Sequence, residues 1–436
     1  MLHIPPTHHK HIPPILLTNH FQNPPDWSTL PTIPLRLTPP QHSAILPTIT
    51  SMNTPINTLT TPNLPQSILV LCPHPDDFDV AGVTLHHFHS RACPIHVAIA
   101  PTSSGVLDSF FPSSPTPEQC IHTREAEQAA SLDFFGLTEN QRTFFPHSMD
   151  LDANGEMTHS PTNLLLIEEI LLKSSPDTVF LPHPNDNNPA HEAMYAMLSE
   201  IIVKHQLDLT LYLQMDPKTH SLQIDAFTPI DENMSQWKTQ LLTHHQTQDH
   251  RNQQSRGISL AQRILSKNQE AASQLALASP AAEAFELRSS RSLRFPISPA
   301  TELTPEITEA FHRLTPQLAD IPVPNDAQLT TVIHSEASTL FLMHDASNNA
   351  IIGTATLATY PIPTDNRTWI EDVIIDHTYR GKGLGQHLIN HLHNFARQSG
   401  IHTINLTSTP SRLPANKLYQ SLGYAQRNTN AYRISL

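Results

Sequence analysis

Short apolar runs separated by longer segments of helical spacing mark the chain from Ser67 onward. Ile68-Leu69-Val70-Leu71 is the first run, Pro94 to Ala100 the second, and Thr178 to Leu181 the third, with helical patterns over 118–135 and 190–205 between and after them. Continuous apolar runs suit strands buried on both faces, and their alternation with helices predicts a mainly parallel, doubly wound sheet. A polar, Ala-rich stretch over about 232–285 reads as helical and closes this unit. A second pattern starts near Leu293 to Ile297, after the junction Leu287-Arg-Ser-Ser-Arg-Ser292. It predicts a strand, a helix at 304–318, strands at 339–344, 351–360 and 368–375, a helix at 383–399, a strand at 402–408, a helix at 414–421 and a last strand near Tyr432. That order is mixed α/β with an antiparallel start. Residues 1–65, rich in Pro, Thr and His, carry neither period and read as an arm or leader.

Composition sharpens the division. A chain of 436 residues is long for one core, so units at 66–287 and 293–436 are the expectation. Thirty-nine acidic residues against 25 Lys and Arg give a net charge of −14, which argues against nucleic acid and anionic membranes as partners. No apolar run is long enough to span a membrane, and MLHIPPTHHKHIPP lacks the apolar core of a secretion signal. Cys72, Cys93 and Cys120 have no Cys-x-x-Cys spacing and fit a reducing compartment, so a cytoplasmic location is expected. Glycine is scarce, 11 against 40 Pro, yet three of the 11 fall within Arg380-Gly-Lys-Gly-Leu-Gly385.

The first chemical candidate follows the first strand. Ile68 to Leu71 runs into Cys72-Pro73-His74-Pro75-Asp76-Asp77, and the strand ending at Leu181 runs into Pro182-His183-Pro184-Asn185-Asp186-Asn187-Asn188-Pro189-Ala190-His191. Reactive groups in open α/β sheets collect beyond the carboxyl ends of strands. His74, Asp77 and His191 would supply two imidazoles and a carboxylate to Zn²⁺ or another divalent metal, with one position open, and would leave Asp76 free as a base. A plain Pro-His-Pro turn, in a chain with 29 His, is the alternative. His183, His86, His87 and His89 are weaker ligand candidates, and His8, His9 and His11 read as a compositional bias.

Pro73-His-Pro-Asp-Asp77 resembles the signature of the LmbE-like, or PIG-L, de-N-acetylases. Thr123-Arg124-Glu125-Ala126-Glu127 with Phe135-Gly136-Leu137 is similar to that family's Arg-x-x-Glu helix. His245-Gln-Thr-Gln248 and Ala282-Glu-Ala-Phe285 resemble two later elements. The resemblance implies a Rossmann-like domain over about 66–287, His74, Asp77 and His191 as zinc ligands, Asp76 as general base and Arg124 as a sugar contact. A helix-surface pair with Glu125 or Glu127 is the other reading of Arg124. Two positions depart from the family: Phe78 stands where it has Glu, and Asn188 where it has the His that helps stabilise the tetrahedral intermediate. An amide donates to an oxyanion without an imidazolium's charge, which implies a slower or differently tuned site.

The second candidate is the glycine cluster. Trp369 to Ile375 reads as a buried strand, followed by Tyr379-Arg380-Gly381-Lys382-Gly383-Leu384-Gly385 and an amphipathic helix carrying Leu388, Ile389, Leu392 and Phe395. A glycine turn entering a helix N-terminus offers backbone N–H groups to a pyrophosphate, though glycines also serve plain tight turns. With Asn416-Lys-Leu-Tyr419-Gln-Ser-Leu-Gly423-Tyr424, this loop makes 293–436 resemble the GNAT acetyltransferases. The resemblance implies acetyl-CoA as cofactor, held by Arg380 to Gly385 with Asn416 a possible further contact, and Tyr419 as the acid toward the departing thiolate. Glu371 is the candidate base, with a plain ion-pairing carboxylate as its alternative. Thr407 to Arg412 is a polar loop that could touch substrate.

Together these features point to a bifunctional enzyme, one half removing an N-acetyl group from an amino-sugar-type small molecule and the other acetylating an amine. Two other readings stay open. One is an active transferase whose first half is a weakened sugar-binding module, as Asn188 and Phe78 would allow. The other is a non-catalytic sensor or scaffold, against which the proton-transfer roles of Asp76 and Tyr419 weigh.

Overall fold

The computed structural model describes residues 57–58, 64–430, 432 and 434. The expected arm lies almost wholly outside the described residues, His8, His9 and His11 included, and Tyr432 itself lies in no strand. The first part runs β1 (Asn57–Thr58), β2 (Ile68–Cys72), α1 (Asp77–Val80), α2 (Gly82–His89), β3 (Ile95–Ile99), α3 (Pro117–Phe135), β4 (Arg142–Phe144), α4 (Pro161–Ser174), β5 (Thr178–Pro182) and α5 (Pro189–His205). It continues through β6 (Thr210–Gln214), β7 (Ala226–Ile230), α6 (Glu232–Leu242), α7 (Gln246–Arg256), α8 (Leu260–Gln274), β8 (Ala281–Ser289) and α9 (Ser290–Arg294).

Its strands form one sheet in the order β1-β7-β8-β6-β5-β2-β3-β4. The run β6-β5-β2-β3-β4 is parallel throughout, and β8 is antiparallel to both its neighbours. β2 and β5 are buried along their whole length, as strands covered on both faces must be. The pleat sends Leu69 and Leu71 into one core with Val179, Leu181 and α5, while Ile68, Val70 and Cys72 join Leu85, Phe88 and Leu132 on the other face. From β2 the chain winds outward to β3 and β4, then returns to lay β5 on the opposite side of β2. The sheet's direction of winding therefore reverses between β2 and β5, where such sheets open a crevice.

The expected helical stretch over 232–285 is three helices and then a strand. Ala281 to Ala284 pair with β7 and their alanines pack against α8, Ala282 with Ala272 and Ala284 with Ala271, while β6 joins the ladder from Phe285 onward; ladder pairing and burial there override the helix preference of Ala and Glu. Within it Glu283 does structural work that neither period reveals. Its carboxylate accepts from the backbone N–H of Val83 (2.9 Å) and Thr84 (2.7 Å) at the start of α2, and from Lys238 Nζ (2.6 Å). Lys238 also donates to Val80 O (2.7 Å) and Asn268 Oδ1 (3.1 Å), so one buried pair ties β8, α1, α2, α6 and α8.

The second part contains β9 (Ile297–Pro299), α10 (Pro305–Leu314), α11 (Asp326–Ile333), β10 (Ser338–Asp345), β11 (Ala350–Ile362), β12 (Asp365–Ile375), α12 (Leu384–Gln398), β13 (Asn405–Leu406) and α13 (Leu413–Ser421). They form a sheet β13-β12-β11-β10-β9, antiparallel except for the β12–β13 pair. The strand expected from Leu293 is instead α9 followed by the short β9, and that expected at 402–408 shrinks to two residues. The seam falls between neighbours: Leu293 packs against the first sheet's core and Phe295 is buried in the second's. No helix among the described residues is long and apolar enough to cross a membrane.

Removing Glu283 would strand the Lys238 ammonium without solvent. Glu283→Ala is expected to cost about 3–5 kcal/mol, read as a lowered denaturant midpoint. A loss below about 1 kcal/mol would mean that the ammonium reaches water.

Candidate active site

The C-terminal ends of β2 and β5 put three side chains in one buried place. His74 Nδ1 lies 3.3 Å from Asp77 Oδ2, His191 Nε2 lies 3.5 Å from Asp77 Oδ1, and the two ring nitrogens are 3.2 Å apart. His74 and His191 arrive by different routes. The first sits in the loop leaving β2, with its backbone N–H on Asp77 Oδ2 (2.7 Å), and the second lies in the first turn of α5. Asn188 starts that helix: its Oδ1 caps the N–H of Ala190 (3.0 Å), and Pro189 occupies the first helical position, where a missing N–H costs nothing.

The outer nitrogens of both rings are held by carboxylates. His74 Nε2 donates to Glu156 Oε2 (2.6 Å), and His191 Nδ1 donates to Asp186. With protons placed there, the two nitrogens facing Asp77 present lone pairs toward each other. That is the tautomer pair a cation requires, and three donor atoms within 4.8 Å of one another fit a divalent metal. Without a cation the same geometry favours added protons. Burial opposes the imidazolium of His191, but Asp77 and Asp186 outweigh it and hold its pKa at about 10, and His74 is raised likewise. Burial also works against the charged form of Glu156, yet His74 and the Ser104 hydroxyl hold it at about 2.

Asp76 stands apart from the triad. Its backbone is at φ 115°, outside the comfortable range of any L-residue, and is pinned by its N–H on Gln128 Oε1 (2.9 Å). Arg124, 3% exposed, donates to Asp76 Oδ1 (2.8 Å), Pro75 O (2.6 Å) and Ser104 O (3.2 Å), so it faces the site and not the helix surface. The pair leaves Asp76 Oδ2 without a hydrogen bond among the described residues. Asn188 points its Nδ2 to within 3.4 Å of His74 Nε2. Phe78 is absent from the pocket; it is fully buried and packs edge-on against Phe135 at 4.9 Å.

Glu156 and Asp186, which orient the two imidazoles, escaped sequence reasoning. Asp186 lay inside the quoted segment, but Glu156 comes from a turn after Asp152 with no periodic signal. His183 turns to Glu286 (3.2 Å) and to the N–H of Asn185, and His86, His87 and His89 line α2 away from the triad. His245-Gln-Thr-Gln248 fastens α7 beside the site. His245 Nε2 meets Asp79 Oδ2 (2.7 Å), Thr247 N–H and hydroxyl meet Glu127 (both 2.7 Å), and Gln248 meets Gly105 O (3.1 Å).

In the second part, β12 pairs with β13 only at Trp369 and Ile370, so from Glu371 its outer edge lacks a strand partner among the described residues. A bulge follows: Asp372 and Val373 oppose the single residue Ala355, and Asp372 is left-handed at φ 49°. β12 then feeds the glycine loop, where Gly381 (φ 79°) and Gly383 (φ 73°) are left-handed and Gly383 caps α12. Arg380 Nε is turned onto Ile375 O (2.8 Å), Lys382 lies over the Tyr379 ring at 4.9 Å, and Gly385 packs against Leu418. Asn416, on α13, donates to Thr409 O (2.8 Å) in the loop before it. Tyr419 is partly buried against the second core, and burial, opposed by Arg412, raises its pKa. Glu371 is exposed, and burial of its carboxyl together with Asp372 raises its pKa as well.

Residues 304–424 match the model of the acetyltransferase (GNAT) family. A glucosamine 6-phosphate N-acetyltransferase of Trypanosoma brucei brucei is 31% identical over 131 residues, 29% of this chain and 82% of that protein. The chain belongs to the GNAT acetyltransferases. Ahead of this GNAT part, residues 69–202 match the model of the GlcNAc-PI de-N-acetylases, the PIG-L family. Both are enzyme families. Among solved structures, a T. brucei acetyltransferase shares 25% identity over 33% of this chain and 99% of its own, with a TM-score of 0.28. An N,N'-diacetylchitobiose deacetylase of Pyrococcus horikoshii shares 17% over 52% of this chain and 85% of its own, with a TM-score of 0.43.

The GNAT loop makes a local test. Any side chain at Gly381 or Gly383 must adopt a left-handed backbone, at roughly 1 kcal/mol each. A Cβ at Gly381 meets nothing, whereas one at Gly383 comes within 3.0 Å of Arg291 Nη1. Gly383→Ala should therefore melt lower than Gly381→Ala. Equal melting would mean that Arg291 yields freely.

Proposed function

We propose that the first part hydrolyses the acetamide of an N-acetylated amino sugar with a divalent metal, most simply Zn²⁺, held by His74, Asp77 and His191. The second part, on this reading, transfers acetyl from acetyl-CoA to the amine of an amino sugar. The observation that carries the first half is the orientation of both imidazoles by Glu156 and Asp186, which turns the lone pairs of His74 Nδ1 and His191 Nε2 toward Asp77. A bound cation would supply Lewis acidity toward an amide carbonyl and a water molecule. Asp76 takes the proton of the attacking water on its free oxygen while Arg124 fixes the other. Water oxygen bonds to the acyl carbon, the carbon–nitrogen bond breaks, and the proton passes to the departing amine, leaving acetate. Asn188, which lines the same pocket, would donate to the oxyanion that forms.

For the transferase half, the family match and the T. brucei relative support acetyl-CoA and an amino-sugar phosphate acceptor. The glycine loop opens onto the N-terminus of α12 for the pyrophosphate of acetyl-CoA, with Arg380, Lys382 and Leu384 flanking its glycines and Asn416 nearby on α13. Glu371, on this reading, accepts the amine proton. Tyr419, which stays protonated at neutral pH, gives its proton to the leaving thiolate. We take 66–287 and 293–436 as separate catalytic domains of one cytoplasmic protein. Acting on different positions or different molecules keeps the two reactions from cancelling.

Metal content, amine release from N-acetylglucosamine and CoA-thiol release test the whole. Asp76→Asn should keep its metal and lose hydrolysis by about a hundredfold or more. Asp77→Asn should lose the metal, and neither should slow acetyl transfer. Asp186→Asn should weaken metal binding by about ten- to a hundredfold. Gly383→Asp should abolish tight CoA binding by setting a carboxylate where phosphate must approach. Equal metal loss in Asp76→Asn and Asp77→Asn would remove Asp76 from the role of base.

A further inference from the structure

Five of the chain's 25 Lys and Arg side chains line the same pocket as the His74–Asp77–His191 triad: Arg124, Lys218, Arg251, Arg256 and Arg263. In a protein of net charge −14 that concentration needs a cause. The pocket's carboxylates do not supply one. Asp76 is paired with Arg124, Glu156 with His74, and Asp77 with both imidazoles. Only Asp216 remains, and it accepts from the backbone N–H of Lys218 (2.8 Å). Arg251, Arg263 and Lys218 make no side-chain hydrogen bond or ion pair with the described residues, and Arg256 reaches only the neutral Ser255 Oγ (2.9 Å) and Asn252 Oδ1 (3.5 Å).

Two of these cations ride on a helix fixed against the site. α7, which carries Arg251 and Arg256, is fastened by the bonds of His245, Thr247 and Gln248 to α1, α3 and the loop at Gly105. Arg251 Nη1 lies 2.7 Å from where a Cβ on Gly105 would stand, so the left-handed glycine makes room for the guanidinium beside Ser104. Arg263, on α8, is half-buried; burial, together with the nearby Arg256 and Arg251, holds its pKa below the usual guanidinium range against the pull of Asp216. Mutual repulsion of this kind is relieved by a multiply charged anion.

We propose that Lys218, Arg251, Arg256 and Arg263 form an anion subsite in this pocket, which takes the phosphate monoester of a phosphorylated N-acetyl amino sugar while the acetamide lies at the triad. The proposal rests on the hydrolase reading above and extends it to the substrate class. A phosphate monoester carries between one and two negative charges and three acceptor oxygens, enough to engage several guanidinium groups; one carboxylate is satisfied by one.

The test is hydrolysis by the full chain, with its metal, of N-acetylglucosamine 6-phosphate, N-acetylglucosamine 1-phosphate, N-acetylglucosamine and the carboxylated N-acetylmuramic acid. At least one phosphorylated sugar should exceed N-acetylglucosamine in kcat/KM by about ten- to a hundredfold, chiefly through KM, as expected for charge-assisted hydrogen bonds. That preference should fall as salt is raised, and inorganic phosphate should compete. Arg263→Gln and Arg256→Gln should each reduce the ratio about tenfold, and Arg256→Lys should restore part of it. Equal or faster turnover of N-acetylglucosamine would overturn the subsite and leave the hydrolase reading standing, and a preference for N-acetylmuramic acid would overturn the phosphate assignment. If no sugar is hydrolysed, the hydrolase reading falls and calorimetry with glucosamine 6-phosphate decides the subsite. A binding event that Arg263→Gln removes, beyond any at the transferase half, supports it, and identical isotherms for wild type and Arg263→Gln overturn it.

Discussion

The adjacency of two parallel strands, β2 and β5, governs the first half of this molecule. Ile68 pairs with Thr178 and Val70 with Phe180, so the chain leaves both strands at one edge, at the point where the winding of the sheet reverses. Because both strands are covered on either face, their ends cannot drift, and the loops that follow start from fixed positions. His74 and Asp77 come from one loop and His191 from the helix after the other. The convergence of 3.2–3.5 Å between their donor atoms is thus a property of the sheet before it is a property of the side chains.

That convergence is expensive without a cation. Two imidazoles and a carboxylate in a place nearly closed to water must take up either a cation or protons, and the surrounding structure holds them there regardless. Glu156 and Asp186 fix the rings, Gln128 and Arg124 hold Asp76 in a backbone conformation that an L-residue avoids, and the Lys238–Glu283 pair locks α1 and α2 beneath. Strain that persists under so many constraints marks a place whose geometry serves chemistry. In the GNAT half the same logic takes another form. There the strained residue is Asp372, left-handed in a bulge, and two left-handed glycines, which take that conformation without strain, follow where β12 gives way to α12.

How much of this could be read from the chain depended on range. His74, Asp77 and His191 were legible because two of them directly follow an apolar run that must be a strand and the third closes the His- and Asp-containing segment after another, and strand ends are predictable places. The glycine loop was legible because glycine is scarce elsewhere. Glu156, Gln128 and Lys238 were not, since each acts across dozens of residues through a hydrogen bond that leaves no period, and Asp186, though near His191 in the chain, sits in a loop without one either. β8 was misread as helix because Ala and Glu favour helices locally, and only the close packing of α8 onto it explains its small residues. The arginines of α7 and α8 fall in a stretch that reads only as polar and helical; what sets them apart is the pocket they share with the triad.

Crystals of the full chain grown without chelator and measured across the zinc absorption edge would test the central claim most directly. The account predicts an anomalous peak at bonding distance, about 2.0–2.2 Å, from His74 Nδ1, His191 Nε2 and an oxygen of Asp77. A peak only at the exposed group of Glu118, His122 and His147, or an empty triad after soaking with Zn²⁺, would contradict it.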